Sequence, residues 1–218
     1  MIALIIKLCI GILVIPFAIG ASIAFYDNML LVKELSENMR VFLWGIAAYV
    51  VLHIFFYKPT YLYVLGHEAV HAATSWMFGG RIKSMKASKD GGSVTTTRSN
   101  VIVELSPYFV PVYALVILCI YFIISASYRI NPTTFIFLIG FTLAFHMIST
   151  VEILKMKQPD IMKSGYVFSI VLVYLLNMII ISLVFGAVFA EFDITKYFVD
   201  LYKSSRDIYL AIIRQLFF

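Results

Sequence analysis

The sequence predicts an all-α, multi-pass membrane protein with about six transmembrane helices, a small β-hairpin after the third and an amphipathic helix at the C-terminus. The first observation behind this is composition. Of 218 residues, 62% are hydrophobic and 13% are charged, and the mean hydropathy is +0.95. Soluble domains run at about half apolar and a quarter charged. The second observation is that apolar segments long enough to cross a bilayer core recur along the chain. The third is that charge collects between them, chiefly in the 81–105 loop and the tail. The net charge of +5 is spread over short loops and the C-terminal segment. That distribution fits anionic headgroups and topology, and leaves no basic domain for nucleic acid. Cys9 and Cys119 both lie in apolar runs, so they read as packing residues rather than as a disulfide framework or a thiolate cluster.

The candidate spans cover approximately residues 2–26, 41–57, 61–79, 108–126, 133–151 and 166–190. Small residues near Ala18 and Ala21 suit the end of a signal peptide, but no basic region precedes the apolar run and the run is too long, so a span is expected. Lys58-Pro59-Thr60 makes a tight turn that joins the second and third spans as a helical hairpin. Asp90-Gly91-Gly92 is a turn signal, and SVTTTRSNVIV from 93 to 103 is rich in β-branched residues, which predicts a β-hairpin within 81–105. Pro107 and Pro111 then open the fourth helix, where missing amide donors do least harm. In the tail, Ile194, Phe198, Leu201, Ile208, Ile212 and Leu216 share one helical face, which either lies in the membrane interface or packs on the bundle. No repeat or linker interrupts the chain, so residues 1–218 read as a single domain with its core at about 61–190.

Basic residues near the span ends set the expected topology. Loops after the first, third and fifth spans hold ten Lys and Arg, Lys33 and Lys157 among them, against seven on the other side. This places both termini outside and the hairpin in the cytoplasm.

The chemistry lies in YLYVLGHEAVHAATSWMFGG, residues 61–80. Ionisable groups inside a membrane segment cost several kcal/mol and mark function by default. His67 and His71 are four apart, one helical turn above each other on one face, where two imidazoles converge on one metal. Glu68 is offset by about 100° from His67 and can reach water at the metal without being a ligand. This is His-Glu-x-x-His: zinc held by the histidines lowers the pKa of bound water, and Glu68 takes its proton as hydroxide attacks a peptide carbonyl.

A catalytic zinc needs a third protein ligand and one open position. His71 lies eight residues before Gly79, which sets the metal about 12 Å from the 81–105 loop. The fifth span is expected to return the chain to that side, where KMKQPDIMKSG from 155 to 165 carries Asp160, the preferred third ligand. Pro159 suits a carboxylate turned inward at a helix start. His146 is the rival, as an alternative ligand or a supporting neighbour of the metal site. With Thr142, Ser149 and Thr150 it forms a polar stripe expected to face the bundle interior. His53, with no polar neighbour in sequence, reads as structural, and Asn177 could serve as an oxyanion donor or a helix–helix bond.

The segment GHEAVHAATSWMFGGRI, followed by a hairpin-like stretch with DGGSVTT, resembles the membrane-embedded zinc metalloproteases of the site-2 protease superfamily, in its compact bacterial branch. The resemblance covers about residues 61–165. It implies a three-helix core holding one zinc ion, with His67 and His71 as ligands, Glu68 as catalytic base, and an aspartate supplied later. The family's Asp-Gly signature on a later helix is absent, and QPD at 158–160 is the nearest match. The implied activity is cleavage of a partner membrane protein in or near its transmembrane helix, in the bacterial inner membrane. An edge strand at Val94, Thr95 and Thr96 could hold the unwound substrate by strand addition. Two other classes fit the residues: an inactive metal-binding scaffold or chaperone, and a metal or ion transporter lined by the Thr142–His146–Thr150 stripe. Glu68 favours the protease, because a scaffold has no need of a base.

Overall fold

The computed structural model describes residues 2–32, 34–156 and 158–217. Lys33 and Lys157, two of the loop cations counted above, lie outside the described residues, as do Met1 and Phe218. In order, the elements are α1 (Ile2–Leu30), α2 (Glu37–Phe55), α3 (Thr60–Met77), β1 (Ile82–Ser88), β2 (Gly91–Thr96), α4 (Val101–Leu105), a 3-10 turn (Ser106–Tyr108), α5 (Val112–Ser125), α6 (Thr133–Leu154), α7 (Pro159–Ser164), α8 (Tyr166–Val188) and α9 (Ile194–Phe217). Among the described residues, four helices are long and apolar enough to cross a membrane: α1, α2, α6 and α8. A fifth is reached if Val101–Tyr108 and Val112–Ser125, bent by 80° at their junction, count as one span. The segment expected as the third span is helical as α3, but its His, Glu, Thr and Ser content keeps it out of that set.

The chain divides into two compact units, Leu35–Gln158 and Met1–Glu34 with Pro159–Phe218. In the Leu35–Gln158 unit, Ser36 caps α2 by accepting the Met39 amide at 3.4 Å. α2 and α6 then run side by side in the same direction: Gly45 lies against Phe137 and Phe141, Tyr49 meets Phe141 and Phe145, and His53 reaches Glu152. Gly45 and Gly140 bring the two backbones together where any Cβ would strike the partner helix's carbonyl. Small residues at a crossing are how apolar helices gain contact without a hydrophobic drive from lipid.

Parallel α2 and α6 depart from the expected alternation of spans, and the fourth segment is the reason. Arg98, Val103, Tyr108 and Tyr113 meet Ser75, His71, His67 and Leu62 in turn. The chain therefore climbs back along α3, bends by 80°, and leaves as α5 antiparallel to α6, with Tyr113 beside Phe145 and Tyr121 beside Phe135. The β-branched run Val101–Val103, expected to extend the strand, is helical instead. Asn100 caps it, its Oδ1 accepting the Val103 amide at 2.9 Å.

This doubling back corrects the parity argument for residues after α6. Glu152 near the end of α6 bonds Lys58 in the α2–α3 turn at 2.5 Å, so residues 153–158 follow from the Thr60 end of α3 and not from its Gly79 end. The hairpin forms as predicted, β1 and β2 pairing antiparallel from Ile82↔Thr96 to Ser88↔Gly91. Its base sits at Ser75–Gly80 and its turn folds back along α3 to Val64 and Glu68.

In the other unit, α1 and α8 run in the same direction, with Gly11 against Phe168 and Phe25 edge-on to Phe185 at 5.2 Å. α9 returns antiparallel along α1. Buried Asn28 exchanges two bonds with the Asp193 backbone, at 2.7 and 3.1 Å, and Phe17 meets Tyr209 farther along. Leu201 and Ser205 pack on α1 at Gly20, whereas Phe198, Ile212 and Leu216 of the expected apolar face are exposed, so packing on the bundle describes only part of that face.

Gly140→Val should overpack the α2–α6 crossing by about 1–3 kcal/mol, lowering the Tm of the detergent-solubilised protein by about 2–12 °C. A scan of purified wild type and variant checks this, and an unchanged Tm would place the crossing elsewhere.

Candidate functional site

The site is built on α3 and on the segment that climbs back over it. His71 is buried, and its Nδ1–H donates to the Val103 carbonyl at 2.7 Å. This bond fixes the tautomer and leaves the lone pair on Nε2, the nitrogen that would bind a ligand. One turn earlier, His67 Nδ1 lies 3.2 Å from the Tyr63 hydroxyl, and its ring stands edge-on to Tyr108 at 5.1 Å. The two imidazoles are 4.8 Å apart, centroid to centroid, at 81°. The expected pairing on one face is present, and each ring has its Nδ1 held by protein.

Glu68 is 7% exposed and lines a cavity of about 370 Å³ with His67, Tyr63, Gly92, Ile153 and Gln158. That volume is within the range of natural ligand sites. Gly92 lies directly on the glutamate: a Cβ there would come within 2.7 Å of Glu68 Cγ, 2.8 Å of Oε1 and 2.6 Å of Val64 Cγ1. The hairpin turn can cover the carboxylate only because this residue has no side chain.

The other predicted residues are distributed as follows. His146 is half-buried on α6 and lines a narrow pocket with His67, Tyr63, Gly66 and Tyr113. Of its stripe, Ser149 and Thr150 are buried, while Thr142, like His146, is only half-buried. Val94, Thr95 and Thr96 lie in β2, which pairs only with β1 among the described residues. Asp160 is in the first turn of α7, in the other unit, just after Pro159. Asn177 Nδ2 donates to Val173 O within α8 at 2.9 Å.

His53 is not isolated. Its Nδ1 meets the Tyr49 hydroxyl at 3.1 Å and its Nε2 meets Glu152 at 3.2 Å, beside the Lys58–Glu152 pair. Tyr49 lies within YVVLHIFF, one turn before His53, but Glu152, 99 residues away, is a partner that inspection of that stretch could not reveal. Sequence inspection, which read Gly92 only as part of a turn, also missed its contact with Glu68, the Val103 carbonyl and Tyr63. Only Tyr63 left a signal, four residues before His67 on the same helical face.

Comparison with protein-family models, with curated proteins and with solved structures finds no match.

Gly92→Ala should lift the hairpin from α3. An overpacking cost of about 1–3 kcal/mol corresponds to roughly tenfold more opening, read as faster tryptic cleavage at Lys86 and Lys89. An unchanged cleavage rate would mean that the turn does not rest on Glu68 in solution.

Proposed function

We propose that this protein is an intramembrane zinc metalloendopeptidase that hydrolyses a peptide bond in or near the transmembrane segment of a partner membrane protein. One observation carries the reading: two imidazoles one turn apart, each with Nδ1 held by protein, beside a buried carboxylate on a cavity wall. The donor chemistry fits a divalent metal. The proposed donor set, two imidazole nitrogens from His67 and His71 and a carboxylate oxygen from Asp160, has the chemistry that suits zinc and leaves a position open. Asp160 follows Gln158 by two residues, and Gln158 lines the Glu68 cavity. The chain therefore tethers Asp160 to within about 7 Å of Gln158, Cα to Cα, which supports it as the third ligand. α3 itself belongs within the membrane on this reading, covered by the re-entering segment and the hairpin.

Bound there, the metal supplies Lewis acidity toward a carbonyl oxygen and toward water. The chain's own residues do the rest. Glu68 accepts a proton from the attacking water at a carboxylate oxygen and returns it to the leaving amine. The Val103 carbonyl and the Tyr63 hydroxyl hold the two imidazoles in register for their ligand. His146, beside His67 in its narrow pocket, supports that ring. β2 offers an edge for an unwound substrate. Counted from the Ser88–Gly91 pair that closes the turn, ladder alternation points the amides of Gly92 and Val94 away from β1. An extended peptide added there would pass Glu68, which Gly92 touches.

Three outcomes are expected with purified protein. Glu68→Gln retains metal and loses at least about 100-fold in cleavage of a transmembrane substrate; equal cleavage by both proteins would end the peptidase reading. Asp160→Ala lowers zinc occupancy, measured by elemental analysis, and full occupancy would move the third ligand to His146. Val94→Pro removes an outward amide without breaking the ladder to β1, so it slows cleavage while metal content stays at the wild-type level; unchanged cleavage would count against strand addition.

A further inference from the structure

Beside the Glu68 cavity lies a second one, of about 180 Å³, which the mechanism above does not use. The two share Thr60, Tyr63, Ile153 and Met156 as a common wall. At 180 Å³ it is smaller than the roughly 300 Å³ at which ligand pockets begin, and suits a single side chain. Tyr49 and Phe145 flank it with aromatic surface, and Ser149 and Glu152 make its polar end.

The wiring of that end is specific. His53 Nε2 at 3.2 Å and Lys58 Nζ at 2.5 Å both bond the same oxygen of Glu152, Oε1. Oε2 takes no bond from any described residue, so a carboxylate oxygen is left as an acceptor. The Lys58 ammonium already sits on this carboxylate, which makes a second cation unwelcome and a neutral donor welcome. Aromatic walls, a volume for one side chain, and a polar end with a carboxylate acceptor together describe the phenol of a tyrosine, whose ring is apolar and whose hydroxyl donates.

Resting on the peptidase reading, we propose that this cavity is a specificity pocket that takes a tyrosine of the substrate next to the bond presented to Glu68. A peptide lying along β2 past Glu68 would turn one side chain across the shared Tyr63–Ile153 wall. The Tyr49–Glu152 cluster would then fix which bond is presented.

The test uses full-length Glu68→Gln protein in detergent micelles and fluorescent transmembrane peptides carrying one tyrosine, phenylalanine or alanine at successive positions. Binding is read by anisotropy, and wild-type cleavage is mapped by mass spectrometry. The proposal expects one register in which tyrosine binds about tenfold tighter than alanine and measurably tighter than phenylalanine. Ser149→Phe, which fills the cavity, should erase that preference. Glu152→Gln, which keeps the volume, should narrow the tyrosine–phenylalanine difference alone. Equal binding in every register, or a preference that survives Ser149→Phe in folded protein, would overturn it. A binding preference with no wild-type cleavage would support the pocket and sink the peptidase reading, whereas cleavage with no tyrosine preference would do the reverse.

Discussion

The hydrogen bond from His71 Nδ1 to the Val103 carbonyl, 2.7 Å long and buried, is the contact on which the rest of the site depends. It joins the helix that carries the chemistry to the segment that covers it. Its acceptor is available because the residue four positions on is Pro107, which has no N–H to donate to the Val103 carbonyl. The Val103 carbonyl takes His71 Nδ1–H and the Ser106 hydroxyl instead, the latter at 3.1 Å. An N–H at position 107 would compete for that carbonyl and weaken the imidazole's anchor. The cap at Asn100 and the prolines at 107 and 111 keep the helix short.

The same short segment governs topology. Because it climbs α3 and turns back, α6 runs parallel to α2 and ends beside the α2–α3 turn, where Glu152 meets Lys58 and His53. The hairpin also folds back along α3, so its turn reaches the level of Glu68. Three parts of the chain thus line one cavity: the start of α3, the Lys89–Gly92 turn and the residues after α6.

Much of this was legible in the residues, and the limits of legibility are physical. Helical spacing placed His67, Glu68 and His71 correctly, because a four-residue interval depends on local geometry alone. The Asp90-Gly91-Gly92 turn was equally local, and the hairpin follows it. Val101–Val103 misled because β-branched residues favour strands, while a single capping asparagine and the burial of Leu105 and Tyr108 decide for a helix. Alternation of spans failed for a related reason. Hydropathy cannot distinguish a stretch that crosses the bilayer from one that enters and turns back, since both are apolar. The Val103 carbonyl had no chance of being seen, because backbone groups leave no mark in sequence. His53 looked structural because its charged partner, Glu152, stands 99 residues away, although Tyr49, one turn before it, was in view.

On the proposed reading, α3 presents two neutral imidazoles, each through Nε2, to one divalent metal. X-ray absorption at the zinc edge of the purified, zinc-loaded protein tests it most directly. The account predicts a shell with two imidazole nitrogens at about 2.0–2.1 Å and the remainder oxygen, reduced to one imidazole in His71→Ala. A shell of sulfur or of oxygen alone, or a zinc spectrum that is the same with and without His71, would contradict it.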